Sequence, residues 1–334
     1  MRDKNDYIEY NISNGDKPNT KEVTIKFTFA TDIDAMQSRD LGKTKQICKI
    51  CGANGEYQTW RIREMQYGTR DEFIYFECTE CTTLQIEEFP DNIGYYYSSS
   101  EYYSYGKPEI KMPPPGTPKD ARMILDVGCG AGKWLCSLAS MGFVNLYGCD
   151  PFIEKDVKYP NGVKLYKKTI HEMDGKFDII QFNDSLEHMS DPHDVFISAD
   201  RLLKQNATLP GAEEPKIEII LPIHPSMTVD IYGVHSFALD APRHFFLYSE
   251  KALVYMAEKY GFYIAERVNR PIWGHFAISR GYQKDIKWTE FWQVLHKGDI
   301  WENSKEQERL YEALAYCASA LDFCDHAKFT LKRR

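Results

Sequence analysis

A chain of 334 residues, 43% of them apolar, can bury one large core or two smaller ones, which excludes a globally disordered protein. The net charge of −8 argues against a broad nucleic-acid-binding face, and no apolar run approaches the ~20 residues that span a bilayer. The first residues, MRDKNDYIEYN, lack the apolar segment of a secretion signal. Nine cysteines therefore point to metal ligation in a reducing compartment, with the cytoplasm as the expected location.

Residues 1–43 read as a polar N-terminal extension with one strand, Glu22–Phe29, where Val23, Ile25, Phe27 and Phe29 alternate onto one face. Residues 44–92 carry two C-x-x-C pairs, Cys48 with Cys51 and Cys78 with Cys81, separated by 26 residues. Each such turn aims two sulfurs at one point, and two turns supply the four thiolates of a tetrahedral zinc site. With strand-like runs at Glu72–Glu77 and Thr83–Phe89 and Gly52 after the first pair, the layout is that of a zinc ribbon. Four thiolates close the metal shell, so this zinc is expected to be structural, holding a module too small for a robust core. A redox pair and unligated core cysteines are the competing readings. Residues 93–120 form a tyrosine-rich stretch (Tyr95–Tyr105) and a stiff proline linker (Lys111–Lys119); the tyrosines cover the join between modules or cap a pocket.

From residue 121 the chain alternates strand and helix, as a doubly wound α/β sheet does. Strands are predicted at Met123–Val127, Val144–Cys149, Val163–Lys168, Phe177–Phe182, Lys216–Leu221 and Ala327–Lys332. Helices are predicted at Lys133–Met141, at Pro192–Leu203 with Asp191 as cap, and at Ser249–Tyr260 with Ser249 as cap. Trp288–Asp322 reads as a helical excursion, an insertion at about 285–322 before the last strand. The glycine turn in Arg122–Trp134, RMILDVGCGAGKW, sits where such sheets bind ligands. It is not the dinucleotide pattern G-x-G-x-x-G, because Lys133 stands where the third glycine is needed.

Asp126, Gly128, Gly130 and Gly132, followed by Asp150 closing the next strand, together with Phe177–Pro192 (FDIIQFNDSLEHMSDP), resemble the class I S-adenosylmethionine-dependent methyltransferases of the L-E-H motif group, similar to the ubiquinone-pathway enzymes. The resemblance covers roughly residues 45–280. It implies a Rossmann-like, seven-stranded sheet over 121–334, beside the small zinc ribbon. It also implies that Asp126 and the turn Gly128, Cys129, Gly130 and Gly132 hold the methionine part of S-adenosyl-L-methionine. Asp150, next to Pro151, would accept from the ribose hydroxyls, and Thr169 and Ile170 would meet the adenine. Asn183 and Asp184 would lie beside the sulfonium. In ribbon-bearing relatives, tyrosines before the glycine turn often line this pocket.

Asp184, Glu187 and His188 stand at i, i+3 and i+4, so one helical turn would bring them to one face, and His244 follows in Asp240–Tyr248. Ubiquinone-pathway O-methyltransferases and small-RNA 2′-O-methyltransferases use an acid-x-x-Glu-His set to ligate a divalent cation such as magnesium. By that resemblance Asp184, Glu187, His188 and His244 would form a second metal site, though Asp184 replaces the relatives' glutamate. Three readings stay open: a cation site, a metal-free imidazole base, and purely structural roles. His188, His244 and Glu187 are the candidate catalytic residues; Arg243, His224, His235 and Trp273 lie in segments expected at the pocket mouth. The expected function is O-methylation of a small-molecule or sugar-like (glycan) acceptor. The alternatives are an RNA or protein methyltransferase that uses the ribbon for recognition, and a non-catalytic binding protein of the same fold.

Overall fold

The computed structural model describes residues 7–12, 23–28, 42–97, 106–206, 213–291 and 304–334. At the N-terminus β1 (Tyr7–Ile12) pairs antiparallel with β2 (Val23–Thr28), which lies within the expected strand. The cysteine segment forms an antiparallel meander of β3 (Lys43–Ile47), β4 (Asn54–Arg63), β5 (Glu72–Glu77) and β6 (Leu84–Ile86). Tyr95–Tyr97 sit in a 3-10 turn, Ile93–Tyr97; the rest of the tyrosine run falls outside the described residues.

The second half opens with β7 (Asp120–Val127), α1 (Lys133–Ser140), β8 (Phe143–Cys149), β9 (Val157–Lys158) and β10 (Lys164–Tyr166). It continues with β11 (Ile179–Asn183), α2 (Pro192–Leu202), β12 (Lys216–Pro222), α3 (Met227–Tyr232) and β13 (Phe246–Leu247). It ends with α4 (Glu250–Lys259), β14 (Phe262–Asn269), α5 (Trp273–Gln283), α6 (Ser304–Ala320) and β15 (His326–Arg333).

The main sheet has the order β14-β15-β12-β11-β7-β8-β10-β9. Its centre, from β12 to β10, is parallel, while β15 enters antiparallel between β12 and β14. Seven of the eight strands form the Rossmann-like α/β sheet anticipated above, and the two-residue β9 adds an eighth at the edge. The central strands are buried on both faces: in β11, IIQFN, the two isoleucines, Gln181 and Phe182 are all buried. The strand order reverses between β11 and β7, which opens a crevice at their carboxyl ends.

Two elements depart from the sequence reading. β14 was not anticipated: a bulge between Ile264 and Glu266 shifts its register and breaks the alternation that would mark it. The helical region begins at Trp273, earlier than the expected 285–322, because α5 carries Gly281 in its interior. A Cβ there would come within 2.7 Å of the Phe291 ring, so the glycine lets the next segment pack.

The cysteine segment does not stand apart from the α/β part. β13 joins its sheet as an edge strand beside β6, giving the order β13-β6-β5-β4-β3. One continuous core runs from Tyr57, Trp60 and Phe76 through Phe246 and Tyr248 to Phe182 and Ile219. Ser249, the expected cap of α4, accepts from the Ala252 amide at 2.9 Å and donates to the Cys81 carbonyl. No helix among the described residues is long and apolar enough to cross a membrane.

Candidate functional site

The four sulfurs of Cys48, Cys51, Cys78 and Cys81 converge, with Cys48–Cys81 at 3.6 Å and Cys51–Cys78 at 3.7 Å. A tetrahedron with metal–sulfur bonds of about 2.3 Å has edges of about 3.8 Å, so the spacing suits zinc. The surrounding donors suit thiolates. Cys48 Sγ accepts from Gln85 Nε2 at 3.1 Å and from the Ile50 and Cys51 amides at 3.4 and 3.5 Å. The Cys81 thiol and these amides hold Cys48 down at about 4. The cluster could therefore hold a metal with all four ligands supplied by the chain.

The crevice between β7 and β11 holds the glycine turn. Gly128, Gly130 and Gly132 have φ of 77°, 49° and 76°, a region that other residues enter only under strain. At Gly128 a Cβ would lie 2.6 Å from that of Ser185, so the turn must be bare to sit against the end of β11. Asp150 ends β8 and accepts from the Gly130 and Phe152 amides at 2.9 and 2.8 Å, which folds the turn back over β8. Asp126 is buried beside it, and its Oδ1 has no hydrogen-bond partner. Burial, and then the charge of Asp150, push its carboxyl well above the usual range. Two carboxyl groups beside the bare glycine turn, one with an unmet oxygen, form a site that a donor-bearing ligand would complete. Pro151 and Phe152 are exposed at the rim, and the Tyr97 ring stacks on Phe152 at 5.2 Å. Thr169 caps the short 3-10 helix Ile170–Glu172 and Ile170 lies in the core, so these two have capping and packing roles here. Asn183 ends β11 half-buried, and Asp184 follows at φ 51°, strained backbone in a pocket wall.

Next to this crevice lies a cavity of about 380 Å³. The 3-10 turn Leu186–His188 places Glu187 and His188 in its wall, and the Asp240–His244 segment brings up His244. One ligand atom from each of these three lies within 4.8 Å of the others. His188 donates from Nδ1 to the Arg243 carbonyl at 2.8 Å, with the Tyr97 hydroxyl at 3.2 Å, and His244 donates from Nδ1 to the Ala238 carbonyl at 2.7 Å. Carbonyls only accept, so both imidazoles carry their proton on Nδ1 and present a bare Nε2. Burial, reinforced by the neighbouring His244, lowers His188 to about 4; burial also lowers His244. Glu187 is fully buried, neither of its oxygens has a partner, and burial pushes its carboxyl well above the usual range.

Asp184 does not join that trio. It accepts from His326 Nε2 at 2.5 Å, so the four-residue set implied by resemblance is here a set of three. The reason is reach: the short aspartate on a left-handed backbone turns toward β15. Arg243 is wholly buried rather than at a mouth, bound to Asp240 at 2.5 Å and to Glu64 at 2.9 Å, and so it braces the turn that carries His244. His224 packs against Trp60 beside Glu77, and neither it, His235 nor Trp273 lines the cavity. Asp191 occupies the cap position of α2, but its side chain bonds His171 at 2.9 Å instead. The ionisable cavity residues that the sequence did not single out are Asp240, Arg270, His275 and His326. The one available signal was that Asp325 and His326 fall just before the predicted strand Ala327–Lys332.

Residues 111–267 match a family model described as a methyltransferase domain. Structural likenesses are distant. A cyclopropane synthase from Mycobacterium tuberculosis shares 16% identity over 64% of this chain and 78% of that one, with a TM-score of 0.38. A putative sarcosine dimethylglycine methyltransferase from Galdieria sulphuraria shares 14% over 65% and 80%, with a TM-score of 0.39. A magnesium protoporphyrin IX methyltransferase from Synechocystis PCC 6803, solved with bound S-adenosylhomocysteine, shares 16% over 44% and 67%, with a TM-score of 0.34. A search of curated protein sequences finds no match. The matched residues take in the glycine turn, Glu187, His188 and His244, and stop short of α5 and β15, which contribute His275 and His326 to the cavity.

Proposed function

We propose that the chain transfers the methyl group of S-adenosylmethionine to a hydroxyl of a small, polar, sugar-like acceptor held in the cavity, and that the four cysteines hold a structural zinc. The observation that carries the reading is Glu187. A buried carboxylate without any hydrogen bond is costly, and two bare imidazole nitrogens beside it complete the donor set of a divalent-cation site. Asp126, Asp150 and the glycine turn would hold the donor, which supplies an electrophilic methyl carbon. Glu187, His188 and His244 would hold a divalent cation such as magnesium, which lowers the pKa of a bound hydroxyl. The Arg243 and Ala238 carbonyls keep both imidazoles in the tautomer that ligation requires.

Two outcomes are expected. Asp126→Ala should weaken S-adenosylmethionine binding by about 10–100-fold, the ~1.5–3 kcal/mol of a hydrogen bond to a charged group. Calorimetry with zinc quantified on the same sample checks it, and wild-type affinity in the variant would refute the crevice assignment. Glu187→Gln should remove manganese binding while leaving the zinc content unchanged, read by calorimetric titration with Mn²⁺. The acceptor reading is tested by mass spectrometry after incubation with S-adenosylmethionine, Mg²⁺ and four hydroxyl probes: glycerol, glucose, UDP-glucose and catechol. An ether product 14 mass units heavier, the ~14 Da of a CH₂, is expected for at least one; none from any probe would reject it.

A further inference from the structure

The cavity is also lined by His275, which is paired with a buried carboxylate behind it. His275, on α5, sits 2.9 Å through Nδ1 from Oδ2 of Asp325, the residue just before β15. Asp325 is buried, 3% exposed, and also accepts from the Thr228 hydroxyl at 3.0 Å, which in turn receives the Ser236 hydroxyl at 3.1 Å. Burial works to raise the Asp325 carboxyl, but His275 and Thr228 override it and hold it low, so it is an ionised acceptor. The proton of His275 therefore resides on Nδ1. Nε2 has no hydrogen-bond partner among the described residues, and the ring, tilted on Phe237 at 5.0 Å, lines the cavity.

A second base is needed on the reading above. If Glu187, His188 and His244 ligate a cation, their lone pairs are committed and none can take the acceptor proton. His326 gives its Nε2 to Asp184 at 2.5 Å, and its other ring nitrogen, Nδ1, is buried and unpartnered, closed off from an acceptor. We propose that His275 is the catalytic base of the methyl transfer and that Asp325 is its positioning residue, an inference that rests on the hydroxyl-methylation reading. The step balances: the acceptor O–H proton passes to Nε2 of His275, and the freed oxygen pair forms the O–CH₃ bond. The C–S bond breaks with its electrons going to sulfur, leaving S-adenosylhomocysteine, and the imidazolium is neutralised by Asp325 until it loses the proton to solvent.

The test combines kinetics with a spectroscopic measurement. On the probe that wild-type protein methylates, His275→Gln should lower kcat by about 10²–10⁴-fold with KM and S-adenosylmethionine affinity little changed. Added imidazole should restore part of the rate in His275→Gly. Nitrogen-15 NMR of the cofactor-free protein should show His275 protonated at Nδ1 and bare at Nε2, and Asp325→Asn should move that proton toward Nε2. A His275→Gln rate within about twofold of wild type, against the loss expected of a base, or an Nε2-protonated His275 in wild type, would overturn the assignment. Should Asp325→Asn fail to fold, the wild-type spectrum and the His275 variants still decide it. Wild-type silence with every probe would instead overturn the hydroxyl reading itself.

Discussion

Cys78→Ser is expected to release the proposed zinc and unfold the meander from β3 to β6, and with it to loosen the α/β part. In zinc-binding peptides the metal supplies about 10–16 kcal/mol of apparent binding energy, which is the folding energy of the module. Here the cluster is also anchored outward. The Ile50 carbonyl, between the first two cysteines, accepts from His193 Nε2 at 2.9 Å, and the Cys81 carbonyl accepts from the Ser249 hydroxyl. Losing the sulfur cluster would strip α2 and α4 of these contacts and leave β13 without its neighbour β6. Metal analysis should give one zinc fewer per chain, and hydrogen exchange should show lost protection at Phe246–Tyr248 as well as in β4–β6. Full protection at Phe246–Tyr248 in metal-free protein would show that the two parts are energetically independent.

The second large effect is expected at Arg243. Its guanidinium is fully buried with Asp240 and Glu64, and Glu64 also accepts the amides of Tyr67, Gly68 and Thr69 at 2.9, 2.8 and 2.9 Å. Burial opposes the charges, yet Arg243 holds Asp240 below the usual carboxylate range, and the two acids hold Arg243 well above its own. Arg243→Ala leaves two buried carboxylates facing one hole and should cost about 3–5 kcal/mol. Arg243→Lys should recover little, because one ammonium cannot reproduce the fork that reaches both acids. Urea denaturation measures the loss. Because the Arg243 carbonyl orients His188, manganese affinity should fall in parallel in both variants, and stability near wild type in Arg243→Ala would refute the pairing.

What the sequence disclosed, and what it withheld, follows from the range of the interactions. The glycine turn, the two C-x-x-C pairs and the L-E-H stretch are local: their meaning lies in spacings of two to four residues. Ser249 was legible for the same reason. Asp191 was not, since a cap position says nothing about a histidine twenty residues upstream. β14 was hidden by its bulge and α5 by its interior glycine. Arg243 reads as a surface residue in any local window; its burial comes from Glu64, far earlier in the chain. His275 and Asp325 meet only after the excursion between them has folded, so no motif could have joined them.

The strand pairing of Gln85 with Phe246 has a consequence for how the protein is made. The first sheet cannot be completed until the ribosome has delivered most of the polypeptide, so the newborn N-terminal part waits with Phe89 and its apolar neighbours uncovered by Phe245 and Phe246. With zinc in the four-cysteine cluster as proposed, early capture of the metal would shorten that exposed interval, and zinc supply during synthesis would then help set the yield.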